Sequence, residues 1–260
     1  MEVIALLTDF GTEDYYVGSV KGVILSINPN ARLTDITHDI PPQDIEAGAF
    51  TLFASHSTFP AQTIFLAVVD PGVGSARRPI VVQAEDYFFV GPDNGLFSYL
   101  YGTTHQSFHV TNEKYFRHPV APTFHGRDVF GPIAGYLSKE RKPSVFGPAI
   151  EDEVRLPPLS LTRMADHVWH GRIIHIDHFG NCITNISREA LNERREAGAR
   201  LTVKQKTITS FKNFFTEDDG DQELFAVWGS AGFLEIAALK RSAAEILKAK
   251  RGDLVTLEVE

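Results

Sequence analysis

The sequence predicts an α/β protein whose N-terminal part is a mostly parallel sheet with flanking helices and whose C-terminal part is a small β-barrel. In the first half of the chain, apolar runs typical of strands alternate with segments of helical periodicity. Around residues 155–159, two prolines and weak periodicity indicate a linker, and short β-rich runs follow it. We therefore predict an N-terminal α/β domain at residues 1–158 and a C-terminal β-barrel domain at residues 166–260.

The N-terminal elements follow from apolar patterns and their stop signals. Residues 2–8 form a near-continuous apolar run, which is typical of a strand buried on both faces. A first helix has apolar residues at helical spacing from Val17 to Ile27, and Asp44 is the expected N-cap of a second helix. The remaining predicted elements are strands at 33–37 and 63–69, a hairpin of 79–83 with 87–90, and a short helix at 129–137.

The C-terminal half is rich in short strands and has one predicted helix. Ser242 and Glu245 form a capping box at the start of that helix. The acidic run at 217–221 is predicted to be a solvated hairpin loop. The predicted strands are residues 171–176, 182–186, 201–203, 207–210, 224–227, 233–237 and 254–259.

Charge and composition narrow the classes of function. The 260 residues carry a formal net charge of −8 without a basic cluster, so neither nucleic acid nor an anionic membrane is an expected partner. No apolar run approaches the roughly 20 residues that span a bilayer. The N-terminus lacks the basic and apolar regions of a signal peptide. The single Cys182 excludes an internal disulfide, and we expect a cytoplasmic protein.

Two aspartates follow predicted parallel strands. Asp9 comes directly after the first strand and Asp70 after the third, and ligands of such sheets bind at the carboxyl ends of the strands. Asp9 is either a turn residue before Gly11 or a carboxylate that accepts hydrogen bonds from a vicinal diol such as ribose. The G-x-G-x-x-G fingerprint is missing, so a nicotinamide cofactor is not predicted.

A cation and an imidazole complete the candidate site. Arg77 lies seven residues after Asp70 on a Gly/Pro-rich turn, and His125 with Gly126 lies in a polar stretch ahead of another apolar run. An acid, an imidazole and a permanent cation on turns around a buried strand are the parts of a reaction site. The alternatives are that Asp70 only starts a turn, that Arg77 is solvated and that His125 is structural.

Other chemistries find less support in the sequence. His105 and His109 are four residues apart, but their surroundings are extended rather than helical, so the two need not share a face. His175 with Asp177 and His178 matches no H-E-x-x-H or Cys-pair pattern, so no metal site is predicted. The G-x-S-x-G elbow of serine hydrolases and the P-loop are missing too.

At these residues the sequence resembles the S-adenosyl-L-methionine (SAM) hydroxide adenosyltransferase family, which is related to SAM-dependent fluorinases and chlorinases. The resemblance runs nearly end to end as an ordered set of motifs. It implies an N-terminal α/β domain, a C-terminal β-barrel and a homotrimer with active sites between subunits. The motifs are residues 7–11, 44–49, 68–77, 91–95, 123–130, 176–181 and 230–237.

The resemblance also implies the reaction. Hydrolytic members use an Asp, an Arg and a His to direct water, and these fall on Asp70, Arg77 and His125. The halogenating relatives carry a tyrosine in place of that aspartate and lack the histidine. The expected reaction is attack of water at C5′ of SAM, which gives adenosine and L-methionine, with SAM as substrate and no cofactor. The alternatives are a SAM-dependent halogenase and a non-catalytic adenosine- or SAM-binding module.

Further residues are implied to bind the substrate. Asp9 is expected to hold the ribose hydroxyls, and Gly126 to leave room for the water. The stretch after Ala237 departs from the polar run of many relatives, and Gln43 stands where halogenating members have tryptophan. In the C-terminal domain, the implied roles are adenine stacking for Phe179, adenine hydrogen bonding for Asn181, and contacts to the methionine amine and carboxylate for Asp177 and Ser230.

Overall fold

The chain folds into two units, Met1–Pro158 and Leu159–Glu260. A computed structural model describes residues 3–102, 104–139, 142–191, 198–217 and 223–259. Residues 218–221 of the acidic run predicted to be a hairpin loop therefore lie outside the described residues. Within the described ranges, no helix is long and apolar enough to cross a membrane.

The N-terminal unit is built on a seven-stranded sheet with the order β2-β1-β3-β5-β4-β6-β7. The pairs β2-β1, β1-β3 and β3-β5 are parallel, and the remaining pairs are antiparallel. The predicted α/β class is confirmed, and the predicted hairpin extends the parallel strands with antiparallel ones. The strands are β1 (Val3–Thr8), β2 (Arg32–Thr37), β3 (Ile64–Val68), β4 (Pro79–Ala84), β5 (Tyr87–Pro92), β6 (Gln106–His109) and β7 (Ala149–Ile150).

Helices cover both faces of this sheet. The helices are α1 (Tyr16–Ile27), α2 (Ile45–His56) and α3 (Gly131–Leu137). Ile4 and Leu6 of β1 pack in one core with residues of α1 and α3, whereas Ala5 and Leu7 pack in another core with residues of α2. Alternate side chains of a strand point to opposite faces, so a strand between two helical layers is apolar throughout.

Two helix starts can be compared with the sequence. The predicted cap of α2 is confirmed, since Asp44 Oδ1 accepts a hydrogen bond of 3.0 Å from the backbone N–H of Ala47. The short helix predicted at 129–137 begins earlier, because a π-helical turn, Gly126–Phe130, precedes α3. Apolar periodicity does not reveal such a turn, which is frequent at functional sites.

The C-terminal unit is a nine-stranded, mostly antiparallel sheet curled into a half-barrel, with the order β12-β11-β16-β9-β10-β15-β14-β13 and β8 paired to β9. Ile173, Cys182, Leu201 and Val255 are fully buried in its core. The strands are β8 (Thr162–Ala165), β9 (Val168–Ile176), β10 (Cys182–Ser187), β11 (Arg200–Val203), β12 (Lys206–Ile208), β13 (Phe211–Lys212), β14 (Phe225–Trp228), β15 (Phe233–Ala237) and β16 (Leu254–Glu258).

A short helix, α4 (Ala243–Leu247), closes one part of this core. The hydroxyl of Ser242 accepts a hydrogen bond of 3.1 Å from the backbone N–H of Glu245, as expected of a capping box. The short strands β6, β7, β8 and β13 were not predicted, whereas the equally short β11, β12 and β14 were predicted as β-rich runs.

Candidate functional site

Three predicted site residues meet in the N-terminal unit, at the carboxyl end of β3. Asp70 follows this strand by two residues, and Arg77 lies further along the turn that begins there. Nε of Arg77 lies 3.0 Å from both carboxylate oxygens of Asp70, and Nη2 also donates to Oδ2. The same Nη2 lies 2.9 Å from Nδ1 of His125. One guanidinium therefore links the candidate acid to the candidate imidazole.

The contact with Arg77 determines the protonation of the His125 ring. An arginine N–H can only donate, so Nδ1 accepts and the proton of the neutral ring lies on Nε2. Burial lowers the pKa of His125, and the charge of Arg77 lowers it further. His125 is therefore neutral near pH 7 and presents Nε2–H as a donor.

Arg77 has one more donor that faces no protein acceptor. Its Nη1 is buried and has no hydrogen-bond partner among the residues that the structure describes. The guanidinium carbon lies 5.0 Å from the centroid of the Phe130 ring, which restricts the plane of the group. A buried guanidinium N–H beside a carboxylate and an imidazole is suited to an oxygen atom that gains negative charge.

His125 is positioned by a loop that packs against the turn after β3. At Gly74, with φ +77°, an added Cβ would lie only 2.5 Å from the carbonyl oxygen of Pro122, so this close approach requires glycine. The buried Asp128 accepts hydrogen bonds from two arginines and from the backbone N–H of Ala121. Sequence reasoning gave Asp128 no role, although its place directly before an apolar run, in the same motif as His125, was the available signal.

Asp9 lies beside Asp70 because their strands are neighbours. Thr8 at the end of β1 pairs with Val68 at the end of β3. Oδ2 of Asp9 accepts a hydrogen bond of 2.8 Å from the backbone N–H of Gln43. Burial raises the pKa of Asp9, the N–H of Gln43 opposes this shift, and the negative charge of Asp70 adds to it.

One cavity of about 310 Å³ connects the two aspartates with His125, whereas Arg77 lines a different cavity that His125 also borders. The first cavity is lined by Asp9, Asp70, His125 and Gly126, four of the predicted site residues. At Gly126, where we expect room for water, an added Cβ would lie 3.3 Å from the ring of Phe10. The glycine thus faces an aromatic ring, and a larger residue would press against it.

Four aromatic residues line the same cavity and were assigned no role from the sequence. They are Phe10, Tyr15, Tyr16 and Phe124. Phe10 and Phe124 lie within two of the motifs that carry the family resemblance, directly beside Asp9 and His125 in the chain. Their adjacency to candidate polar residues was a signal that sequence reasoning did not use.

The other four predicted site residues lie around a second cavity, of about 780 Å³, in the C-terminal unit. Asp177, Phe179, Asn181 and Ser230 all line it. The first three belong to the turn between β9 and β10, and Ser230 lies between β14 and β15. Phe179 is 75% exposed, so a face of its ring is open to a planar ligand.

Asp177 anchors the turn that carries Phe179. Its Oδ1 accepts hydrogen bonds from the backbone N–H groups of Phe179, at 3.0 Å, and Asn181, at 2.8 Å. Its Oδ2 accepts from the side-chain amide of Asn181 at 2.8 Å. Gly180 has φ +82°, and an added Cβ would lie 2.1 Å from the hydroxyl of Ser242. The carboxylate expected to bind an amine therefore also organises the loop around it.

Glu235 is a further lining residue that sequence reasoning missed. It lies across Gly229, where an added Cβ would lie 1.8 Å from Oε1. Burial raises the pKa of Glu235 to about 7, and the charge of Asp177 contributes to the shift. A glutamate within an otherwise apolar strand was the signal. Ala238 and Lys240, from the stretch whose sequence departs from many relatives, line this cavity too.

Metal binding has no geometric basis in the parts of the chain that the structure describes, which contain no group of three or more His, Cys, Asp or Glu residues arranged to hold a metal ion. His105 instead lies 2.5 Å from a carboxylate oxygen of Glu153 and 2.9 Å from the carbonyl oxygen of Gly102.

The chain matches two models of one family. The SAM hydroxide adenosyltransferase N-terminal domain matches residues 4–147, and the C-terminal domain of the same family matches residues 171–256. The chain therefore belongs to the SAM hydroxide adenosyltransferase family.

Individual relatives agree with this assignment. A Thermus thermophilus protein named (R)-S-adenosyl-L-methionine hydrolase is 36% identical over 99% of this chain and 100% of its own length. A fluorinase from an Actinoplanes species is 28% identical over 74% of each chain. The crystal structure of an uncharacterized conserved protein from Thermotoga maritima superposes with a TM-score of 0.87 at 33% identity, covering 98% of this chain and 99% of that one.

Proposed function

We propose that this protein hydrolyses SAM to adenosine and L-methionine by attack of water at C5′. The observation that carries the proposal is the linked Asp70–Arg77–His125 cluster on the cavity that also contains Asp9. Membership in the family and similarity to a protein named (R)-SAM hydrolase support it. That relative's name makes the (R)-sulfonium epimer the first substrate to test.

The water is the reactant that needs activation by the protein. The water oxygen forms a bond to C5′ while the C5′–S bond breaks, and the bonding pair leaves with sulfur as the neutral thioether of methionine. The leaving group therefore needs no proton, whereas the water must lose one. As the new C–O bond forms, the attacking oxygen becomes more acidic, so a carboxylate suffices as the acceptor.

We assign distinct tasks to the three groups. Asp70 orients the water and accepts its proton, because Nδ1 of His125 is already occupied by Arg77. His125 offers Nε2–H to a solvent or substrate oxygen. Arg77 holds Asp70 and His125 in place, and its positive charge beside Asp70 stabilises the oxygen as it gains hydroxide character.

The remaining residues bind the substrate. We assign the ribose hydroxyls to Asp9, which has acceptor capacity beyond its bond to Gln43. Phe179 stacks on adenine and Asn181 binds its edge, and Asp177 with Ser230 contacts the amino-acid end. The reaction as written needs no cofactor. We also propose, on the family resemblance, a homotrimer with active sites between subunits, and, from the single cysteine, a cytoplasmic location.

The test is incubation with each SAM epimer in water enriched in ¹⁸O, followed by chromatography and mass spectrometry. We expect adenosine labelled in its 5′-hydroxyl and unlabelled methionine. A parallel reaction with chloride tests the halogenase alternative, which requires 5′-chloro-5′-deoxyadenosine. Thermal stabilisation by SAM without release of adenosine would instead identify a binding module and refute hydrolysis.

A further inference from the structure

An aromatic wall, consisting of Phe10, Tyr15, Tyr16 and Phe124, bounds the cavity that contains Asp70 and His125. The ring centroids of Tyr16 lie 6.1 Å from Phe10, 4.6 Å from Tyr15 and 5.2 Å from Phe124. The four rings are therefore one continuous cluster.

Two members of the aromatic wall are exposed, which costs the fold stability. Tyr15 is 66% and Tyr16 is 37% exposed, although they begin a helix whose other face packs into the core. Burial of aromatic surface is a large stabilising contribution to a fold, so rings held open inside a polar cavity indicate a ligand.

The ring orientations favour a compact ligand group over a flat one. Tyr16 meets Phe10 at 61° and Phe124 at 88°, and Phe10 meets Phe124 at 73°. Tyr15 and Tyr16 are too close together to admit a base between them. Rings at steep angles surround a rounded group from several sides, as aromatic cages do around methylated ammonium groups.

The charges beside the aromatic wall favour a cation. Asp9 and Asp70 line the same cavity, and ring faces carry the negative part of the aromatic quadrupole. The lining cation Arg127 is paired with the buried Asp128. One ring already interacts with a cation, because the guanidinium carbon of Arg127 lies 5.0 Å from the centroid of Phe124. The rings of Tyr15 and Tyr16 have no such partner among the described residues.

We propose that the aromatic wall, chiefly Tyr16 and Tyr15, binds the methylsulfonium group of SAM through cation–π contacts and so selects the charged substrate over neutral thioethers. This inference rests on the proposed function. The sulfonium loses its charge as the C5′–S bond breaks. The aromatic wall therefore stabilises the enzyme–substrate complex more than the transition state. Removing the wall therefore raises KM and does not lower kcat.

The test compares Tyr16→Leu, Tyr15→Leu and the double variant with the unchanged protein. The readouts are KM and kcat for SAM, and calorimetric Kd values for S-adenosylhomocysteine, the neutral thioether, and for adenosine. We expect the double variant to raise KM for SAM about 5- to 30-fold. Its kcat does not fall, and the two neutral ligands bind within about twofold of their original affinity.

Two controls separate this role from others. Tyr16→Phe keeps the ring and is expected to retain the KM of the unchanged protein. Phe214→Leu removes an aromatic residue that is 55% exposed and lines neither cavity, and it leaves all constants unchanged.

Several results would overturn the inference. If the double variant lost as much affinity for adenosine as for SAM, the rings would stack on adenine. If Tyr16→Phe raised KM as much as Tyr16→Leu, the hydroxyl would be responsible. An unchanged KM for SAM in the double variant would show that the aromatic wall does not bind the sulfonium. If the unchanged protein releases no adenosine from either epimer, the proposed hydrolysis fails instead. The calorimetric comparison of SAM with the thioether then still decides whether the wall recognises the sulfonium.

Discussion

The cavities of the two units differ in how their polar groups are held. In the N-terminal cavity, Asp70 contacts Arg77, and Arg77 contacts His125, so the relative positions of the groups are set before a ligand binds. In the C-terminal cavity, Asp177 and Asn181 are also bonded to each other, but the Phe179 ring is largely exposed, and Glu235 forms no hydrogen bond or ion pair within the described residues. This contrast fits the roles we propose, in which proton transfer uses preorganised groups and ligand binding uses surfaces that the ligand itself covers.

The largest expected effect tests the preorganised cluster. Asp70→Asn keeps the shape of the side chain but removes the proton acceptor and the charge that holds Arg77. We expect kcat for SAM hydrolysis to fall about 10²- to 10⁴-fold, with the Kd for SAM within about threefold of its original value. Single-turnover kinetics and calorimetry measure the two constants separately. If Asp70→Asn instead lost affinity for SAM but kept its kcat, Asp70 would serve in substrate binding, and the proposed difference between the two cavities would be wrong.

The second prediction concerns the pH dependence of the same cluster. Protonation of His125 would turn Nδ1 into a donor that faces the guanidinium of Arg77, and their contact would be lost. Since the pKa of His125 is lowered, kcat/KM should fall only below an apparent pKa under the ordinary 6.5 and stay level up to pH 8.

His125→Asn, whose amide oxygen accepts but does not titrate, is the matched variant for this pH profile. In this variant, we expect the decrease in kcat/KM at acidic pH that His125 causes to disappear. Any decrease in kcat/KM caused by the raised pKa of Asp9 remains. His125→Ala should lower kcat by about 10²-fold at every pH. An identical acidic decline in His125→Asn would show that the imidazole does not control the rate.

The third prediction tests binding by the N-terminal cavity. Asp9→Ala removes the acceptor proposed for the ribose diol and should raise the Kd for adenosine and SAM about tenfold, with kcat changed less than threefold. Asp9→Asn is the matched control, because it keeps one acceptor oxygen and should lose less affinity. Equal affinity in all three proteins would remove Asp9 from the ribose contact.

The fold was predictable where burial imposes a pattern. The continuous apolar run of β1 reflects helices on both faces of the sheet, and the caps at Asp44 and Ser242 follow local chemistry. The π-helical turn of Gly126–Phe130 and the short strands β6, β7, β8 and β13 were not predicted. Their hydrogen bonds depend on residues that are distant in the sequence, so they produce no periodic pattern of apolar residues.

The site was predictable to a different extent in each unit. Strand order brings Asp9 beside Asp70, and the turn after β3 returns Arg77 to Asp70, so the residues could be named from sequence. The tautomer of His125 could not, because it depends on which atom faces Arg77. The raised pKa of Glu235 likewise depends on burial across Gly229, a contact between residues on different strands.

The smallest expected effect tests the C-terminal cavity through stability. Glu235 has a pKa of about 7 in the folded protein, against an ordinary value of 4.5, because burial disfavours its charge. Between these values the folded state binds more protons than the unfolded state, so the free energy of unfolding decreases as pH rises from 4.5 through 7. Glu235→Gln stays neutral and should be more stable than the unchanged protein at pH 8, and similar to it at pH 4.

The expected gain at pH 8 is about 1 kcal/mol, since solvent screens the exposed part of the carboxyl group. Urea unfolding at both pH values measures it, and Glu189→Gln, at an exposed position, serves as the control. Saturating SAM should shrink the difference if its cationic amine pairs with the ionised Glu235, because the ligand then compensates the buried charge. A Glu235→Gln protein no more stable than the control at pH 8 would mean that this carboxylate is already solvated, and the two cavities would differ less than their geometry implies.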